Sequence, residues 1–138
     1  MIFFLLILAT AVSACQSTTT PVVNPAATQC PGGTAEIGVG DGFFEFLCGC
    51  TGGPAGGTFV PTPGNLTCHV PSGTVVMFEY IAIQTEHQIV SSGGLPFASA
   101  PPVLPGGVTA SAAQFQTVGT YNFQDAYNTA LTGAIIVP

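Results

Sequence analysis

The 138-residue chain has no lysine and no arginine, and its six acidic residues leave a formal net charge of −6. Without cations there is no counterion release, which supplies most of the affinity of proteins for nucleic acids, so DNA and RNA are excluded as partners. The same lack removes electrostatic attraction to anionic lipid headgroups. Any membrane attachment must therefore run through a lipid or another protein. Residues that favour helix are few, while 18 glycines and 12 prolines punctuate the chain. No apolar run approaches the roughly 20 residues needed to cross a bilayer as a helix. The few carboxylates would be largely neutral near about pH 3, which makes an acidic habitat compatible with the composition.

What is present begins with MIFFLLILATAVSA, residues 1–14, an apolar core followed by small residues. This is the pattern of a secretory signal, with the α-amino group as its positive charge. Residues 15–32 open with CQSTTTPVVNPAATQ, which has no period and reads as a flexible tether. Val12, Ser13, Ala14 and Cys15 resemble a bacterial lipobox, so Cys15 is expected to carry a diacylglyceryl anchor. An ordinary signal with Cys15 merely nearby is the alternative. The expected location is extracytoplasmic: a periplasmic or cell-surface lipoprotein, or a secreted protein.

Residues 33–138 form one expected domain, enough for a single core. Short apolar runs alternate with Gly/Pro punctuation, the texture of an all-β sandwich or barrel. Strands are predicted at 35–39, 43–47, 65–70, 74–83, 87–91, 108–116, 119–124 and 134–137. CGCTGGPAGG, residues 48–57, must be a loop, and the Pro/Gly-rich stretch 92–107 reads as a long connection or a cover over one end of a barrel.

With Cys15 set apart, Cys30, Cys48, Cys50 and Cys68 are an even number in an exported chain, and disulfides are the default. A bond between Cys48 and Cys50 would close a strained ring. Two pairings remain open: Cys30–Cys48 with Cys50–Cys68, or Cys30–Cys50 with Cys48–Cys68. The alternative use of Cys48 and Cys50 is a soft thiolate metal site. His69 reads as an ordinary exposed side chain. Counting by twos along an unbroken strand, His87 shares a face with Ile81, Ile83 and Ile89 and points toward the core.

The stretch FVPTPGNLTCHVPSGTVVMF, residues 59–78, followed by Glu86-His87-Gln88-Ile89-Val90, resembles the middle of a cupredoxin. Phe115 to Phe123, F-x-x-x-G-T-Y-x-F, and Thr132 to Val137 are similar to the last two strands of that family. The resemblance implies a cupredoxin-like Greek-key β sandwich of about seven to eight strands, with His87 at a copper-ligand position. In blue-copper members the final loop carries Cys, His and Met. Here Asp125 stands at the cysteine position, Asn128 at the histidine position and Leu131 near the methionine. No cysteine follows Cys68, so a complete type 1 copper site is not expected.

Asp125 shares a face with Tyr121 and Phe123, which points it toward His87. The pair is expected either to form a hydrogen-bonded closure of the barrel end or to act as a nitrogen and oxygen site for copper or zinc. No cofactor is expected, and copper is the ion the resemblance allows. No nucleophilic triad or phosphate-cradling loop is legible, which points away from an enzyme. The Asn65-Leu66-Thr67 sequon matters only in a eukaryotic host. The expected function is a non-catalytic binding or structural domain with a protein or metal-ion partner. Copper binding or electron transfer through His87 is the alternative.

Overall fold

The computed structural model describes residues 29–51, 56–61, 63–107 and 109–138. The expected signal, Cys15 with its expected lipid, and most of the expected tether lie outside the described residues. Cys30, near the end of the tether stretch, is buried and disulfide-bonded, and a single 3-10 turn follows it at Pro31–Gly33.

Among the described residues nine strands follow: β1 (Ala35–Gly40), β2 (Phe43–Cys48), β3 (Thr58–Pro61), β4 (Gly64–His69), β5 (Thr74–Tyr80), β6 (Ile89–Gly94), β7 (Ala110–Phe115), β8 (Gly119–Asp125) and β9 (Leu131–Val137). They make two sheets, ordered β3-β2-β1-β5-β7 and β4-β9-β8-β6. The pairs β1·β5 and β4·β9 are parallel and the others antiparallel. The sandwich follows from alternation. In β5 Thr74, Val76, Phe78 and Tyr80 are buried while Val75, Met77 and Glu79 are less so, and β8 alternates likewise through Tyr121, Phe123 and Asp125.

Between the sheets, Phe123 meets Phe44 and Phe78 edge-on, each with centroids 5.3 Å apart. This is the geometry the ring quadrupole favours. Gly133 lets the Phe123 ring lie flat against β9, because a Cβ at that position would overlap ring carbons. At the far end Phe115 meets Tyr121 edge-on, and the Tyr121 hydroxyl donates to the Thr117 carbonyl at 2.9 Å.

Three elements depart from the sequence reading. The short edge strand β3 was not expected, and it brings the count to nine. The strand predicted at 74–83 stops at Tyr80, because Ala82 takes a positive φ of 49° that breaks the extended run. Ile81, the next outward position after Glu79, lies over Gly38, and the turn at Ala82 brings Ile83 to the buried side, where Ile89 also lies. The long connection after β6 contributes to the core: Phe97 packs on Phe115, and Val103 bridges His87 by reciprocal backbone bonds of 2.7 and 3.0 Å.

Candidate functional site

Three segments converge at one end of the sandwich. The Gly40-Asp41-Gly42 turn joins β1 to β2 and presents Asp41. The irregular segment after β5 carries Gln84, Thr85 and His87. The last residue of β8 is Asp125, cross-strand partner of Ile89. His87 and Asp125 are almost fully enclosed, at 1 % and 0 % exposure, while the Asp41 side chain is 36 % exposed.

The structure brings His87 and Asp125 together: Nδ1 of the ring forms a hydrogen bond with Oδ2 of Asp125. The other oxygen of Asp125 accepts backbone N–H bonds from Gln88 at 3.2 Å and Tyr127 at 3.0 Å. Each oxygen of this buried carboxylate thus has a hydrogen-bond partner. On the opposite side of the ring, Nε2 lies 3.0 Å from Oδ1 of Asp41 and 3.3 Å from the Thr85 hydroxyl.

Asp41 also accepts the Gln84 and Thr85 amides and the Thr85 hydroxyl, the last at 2.8 Å. Its carboxyl is held well below the usual carboxylate range, first by the bond to His87, then by the Thr85 hydroxyl, with desolvation opposing and the Gln84 and Thr85 amides contributing further. Nearby, Tyr127 donates its hydroxyl to Glu86 at 2.8 Å, and that carboxylate pushes the phenol's pKa up. Burial does the same to Tyr80, whose hydroxyl pairs with Ser111.

Asp41 and Thr85 are the residues that sequence reading missed. The signal that could have found Asp41 is its place in a Gly-Asp-Gly turn between two strands; nothing local links it to a histidine 46 positions away. Asn128 does not reach the imidazole, and its amide instead donates to the Asp41 backbone carbonyl at 3.3 Å. Leu131 is buried at the start of β9.

The four described cysteines form two disulfides, Cys30–Cys48 and Cys50–Cys68. This is one of the two pairings left open by the sequence. It corrects the alternative in which Cys48 and Cys50 together hold a metal, because each sulfur is bonded to a different partner. Asp125 is level with Gly64 through the ladder of β8, β9 and β4. Cys68 is four residues further along β4, roughly 13 Å at strand rise.

Asp41 and Asp125 meet different nitrogens of one imidazole, so the three residues do not converge on a point. Among the described residues, the group of three His, Cys, Asp or Glu donor atoms lying within 4.8 Å of one another is Cys30, Glu36 and Cys48. No helix of the described residues is long and apolar enough to cross a membrane.

No protein-family model matches the chain, and no curated protein sequence matches it. Solved structures do. The chain is similar to a novel purple cupredoxin from Nitrosopumilus maritimus, with 21 % identity over 75 % of this chain and 99 % of that one, at a TM-score of 0.51. It is also similar to an oxidised amicyanin variant, with 19 % identity over 82 % of this chain and 90 % of that one, at a TM-score of 0.51. Two sheets of this strand order, closed around an aromatic core, and these likenesses together make the fold of this chain cupredoxin-like.

Proposed function

We propose that this chain is an exported, non-catalytic binding or structural domain that uses the cupredoxin fold without a type 1 copper centre. A hydrogen-bonded charge array closes the end where blue-copper proteins hold their ion. The observation that carries the reading is that both ring nitrogens of His87 face carboxylates, Asp125 on one side and Asp41 on the other. Neither side of the ring is left facing solvent or an open ligand position, because each nitrogen is taken up by a carboxylate contact. In a chain without Lys or Arg, the ring and the Gln88 and Tyr127 amides supply the hydrogen bonds that let Asp125 be fully buried.

The donor set does not fit type 1 copper. That centre needs a thiolate beside its imidazoles. Here the residue beside His87 Nδ1 is a carboxylate, and both sulfurs of each cystine are already bonded. The second reading is a copper or zinc site made by His87 and Asp125, favoured by the direct contact of the two donor atoms. It supplies two protein ligands where structural and catalytic zinc sites use three or four. Attachment to a membrane through a lipid on Cys15 belongs to the same proposal.

The test is to titrate the purified, disulfide-intact chain with Cu(II) and Zn(II) while recording visible absorption and binding heat. No stoichiometric uptake and no visible band are expected. One tightly held ion per chain, lost in His87→Ala, would overturn the proposal in favour of the two-ligand site.

A further inference from the structure

Glu36 lies against the Cys30–Cys48 disulfide. Oε2 of Glu36 lies 3.3 Å from Sγ of Cys48, with the geometry of a sulfur donor and a carboxylate acceptor. A half-cystine has no proton to donate. The half-buried carboxylate has no other hydrogen-bond partner among the described residues, and the chain holds no lysine or arginine to neutralise it. The contact becomes a bond when Cys48 is a thiol, or when a cation lies between sulfur and oxygen.

The backbone brings these groups together through an irregularity. Gly38 pairs with Glu45 and Ile37 with Phe46, but Glu36 pairs with Cys48, which leaves Leu47 as an extra residue in β2. Such a bulge re-aims the side chains beyond it and recurs beside functional sites. Strict alternation would set Cys48 on the buried face with Phe44 and Phe46. The bulge instead sets it opposite Glu36, where it is half-buried. Gly49 follows with a φ of 80° and no room for a Cβ against Ala35, which directs Cys50 back into the core. The two disulfides therefore differ in access at one sulfur: Cys50, Cys68 and Cys30 are 4 %, 0 % and 6 % exposed, while Cys48 is only half-buried.

We propose that Cys30, Cys48 and Glu36 form a redox-gated site for a thiophilic d10 cation, closed as the disulfide and opened by a dithiol. One thiolate of the dithiol attacks Sγ of Cys48, and Cys30 leaves as a thiolate and takes up a proton. The second thiol of the donor then displaces Cys48, so the donor is oxidised to a disulfide as this chain gains two electrons and two protons. A divalent ion such as zinc displaces the two thiol protons and is held by both sulfurs and the Glu36 oxygen, with water completing a tetrahedron. The three donor atoms already lie within 4.8 Å of one another. After reduction the sulfurs must separate to the ~3.8 Å edge of a tetrahedral zinc thiolate. An incoming disulfide reverses the exchange and expels the ion.

The experiment uses the purified full chain under anaerobic conditions, reduced in steps with a phosphine that does not bind zinc. Alkylation and mass mapping report which cysteines open, near-UV circular dichroism reports the fold, and competition with a chromophoric chelator measures zinc. The expected result is that Cys30 and Cys48 become alkylated before Cys50 and Cys68. The folded dithiol chain then binds one zinc and the oxidised chain none. Glu36→Gln weakens binding about 10-fold or more, and the joint Cys30→Ser and Cys48→Ser variant abolishes it. The proposal is overturned if Cys50–Cys68 opens first, if the fold is lost on opening Cys30–Cys48, if the reduced chain takes up no zinc, or if uptake survives in the double variant.

Discussion

At the scale of single residues, the Asp41-His87-Asp125 array sets the stability of the molecule. Replacing Asp125 by Ala leaves Nδ1 of the buried His87 and two backbone donors, those of Gln88 and Tyr127, without partners. Breaking a buried pair in this way costs about 3–5 kcal/mol, so a large drop in the urea midpoint at pH 7 is expected, while an exposed change such as Val118→Thr leaves it unmoved. Asp41 has a different signature. Its folded pKa is depressed below the ordinary 3.8, so its contribution is fully present above that value and is lost as pH falls through the folded one. Denaturation curves from pH 7 down to pH 2 should therefore show a wild-type loss on the acid side that Asp41→Asn lacks. At neutral pH the variant should be weaker by only about 1 kcal/mol, because solvent screens the exposed side of this pair. The inward aim of His87 and Asp125 was legible from alternation about Ile89 and Phe123. Asp41 was not, since a turn residue's partner is set by how the sheets close and leaves no periodic trace.

Strands and loops show the same division. Elements with clean alternation, β1, β2, β4 and β8, could be read nearly to their ends. β3 could not, because Thr58–Pro61 is four residues long, ends in proline and follows a glycine-rich loop, so its pairing with β2 rather than its own pattern makes it a strand. The early end of β5 was hidden for the opposite reason: Ile81 and Ile83 continue the apolar alternation, but a positive φ at Ala82 turns the chain. Close approach between elements yields a further prediction. Gly133 in β9 faces the Phe123 ring, which is fully buried among Phe44 and Phe78 and has nowhere to move. Gly133→Ala should destabilise by roughly 1–3 kcal/mol through overpacking, read as a lower thermal midpoint. Pairing it with Phe123→Leu should recover part of the loss, whereas additive losses would mean that the ring is not the obstacle.

For the whole molecule, charge is distributed in a way that composition alone does not disclose. Glu45, Gly38 and Glu79 stand in one cross-strand row, and Glu36 is two residues from Gly38 on the same face. Three of the six acidic residues therefore share the outer surface of one sheet. The register of β4, β9 and β8 sets Asn65, Thr132 and Gln124 side by side on the other sheet, whose outward rows carry no carboxylate. With no Lys or Arg in the chain, no surface Lys/Arg salt bridge can offset the repulsion among these acids. Salt usually weakens exposed ion pairs, but here it has chiefly like charges to screen. The Debye length falls from about 30 Å at 0.01 M to about 10 Å at 0.1 M, which is the range over which neighbouring strands feel one another. The thermal midpoint at pH 7 should accordingly rise with sodium chloride between these concentrations. Glu79→Gln should reduce the slope by removing one member of the row. A midpoint that falls with salt would mean that screening of the half-exposed Asp41 and His87 pair outweighs relief of the acidic face, and that the array at the sandwich end, more than the sheets, governs the electrostatic stability of the chain.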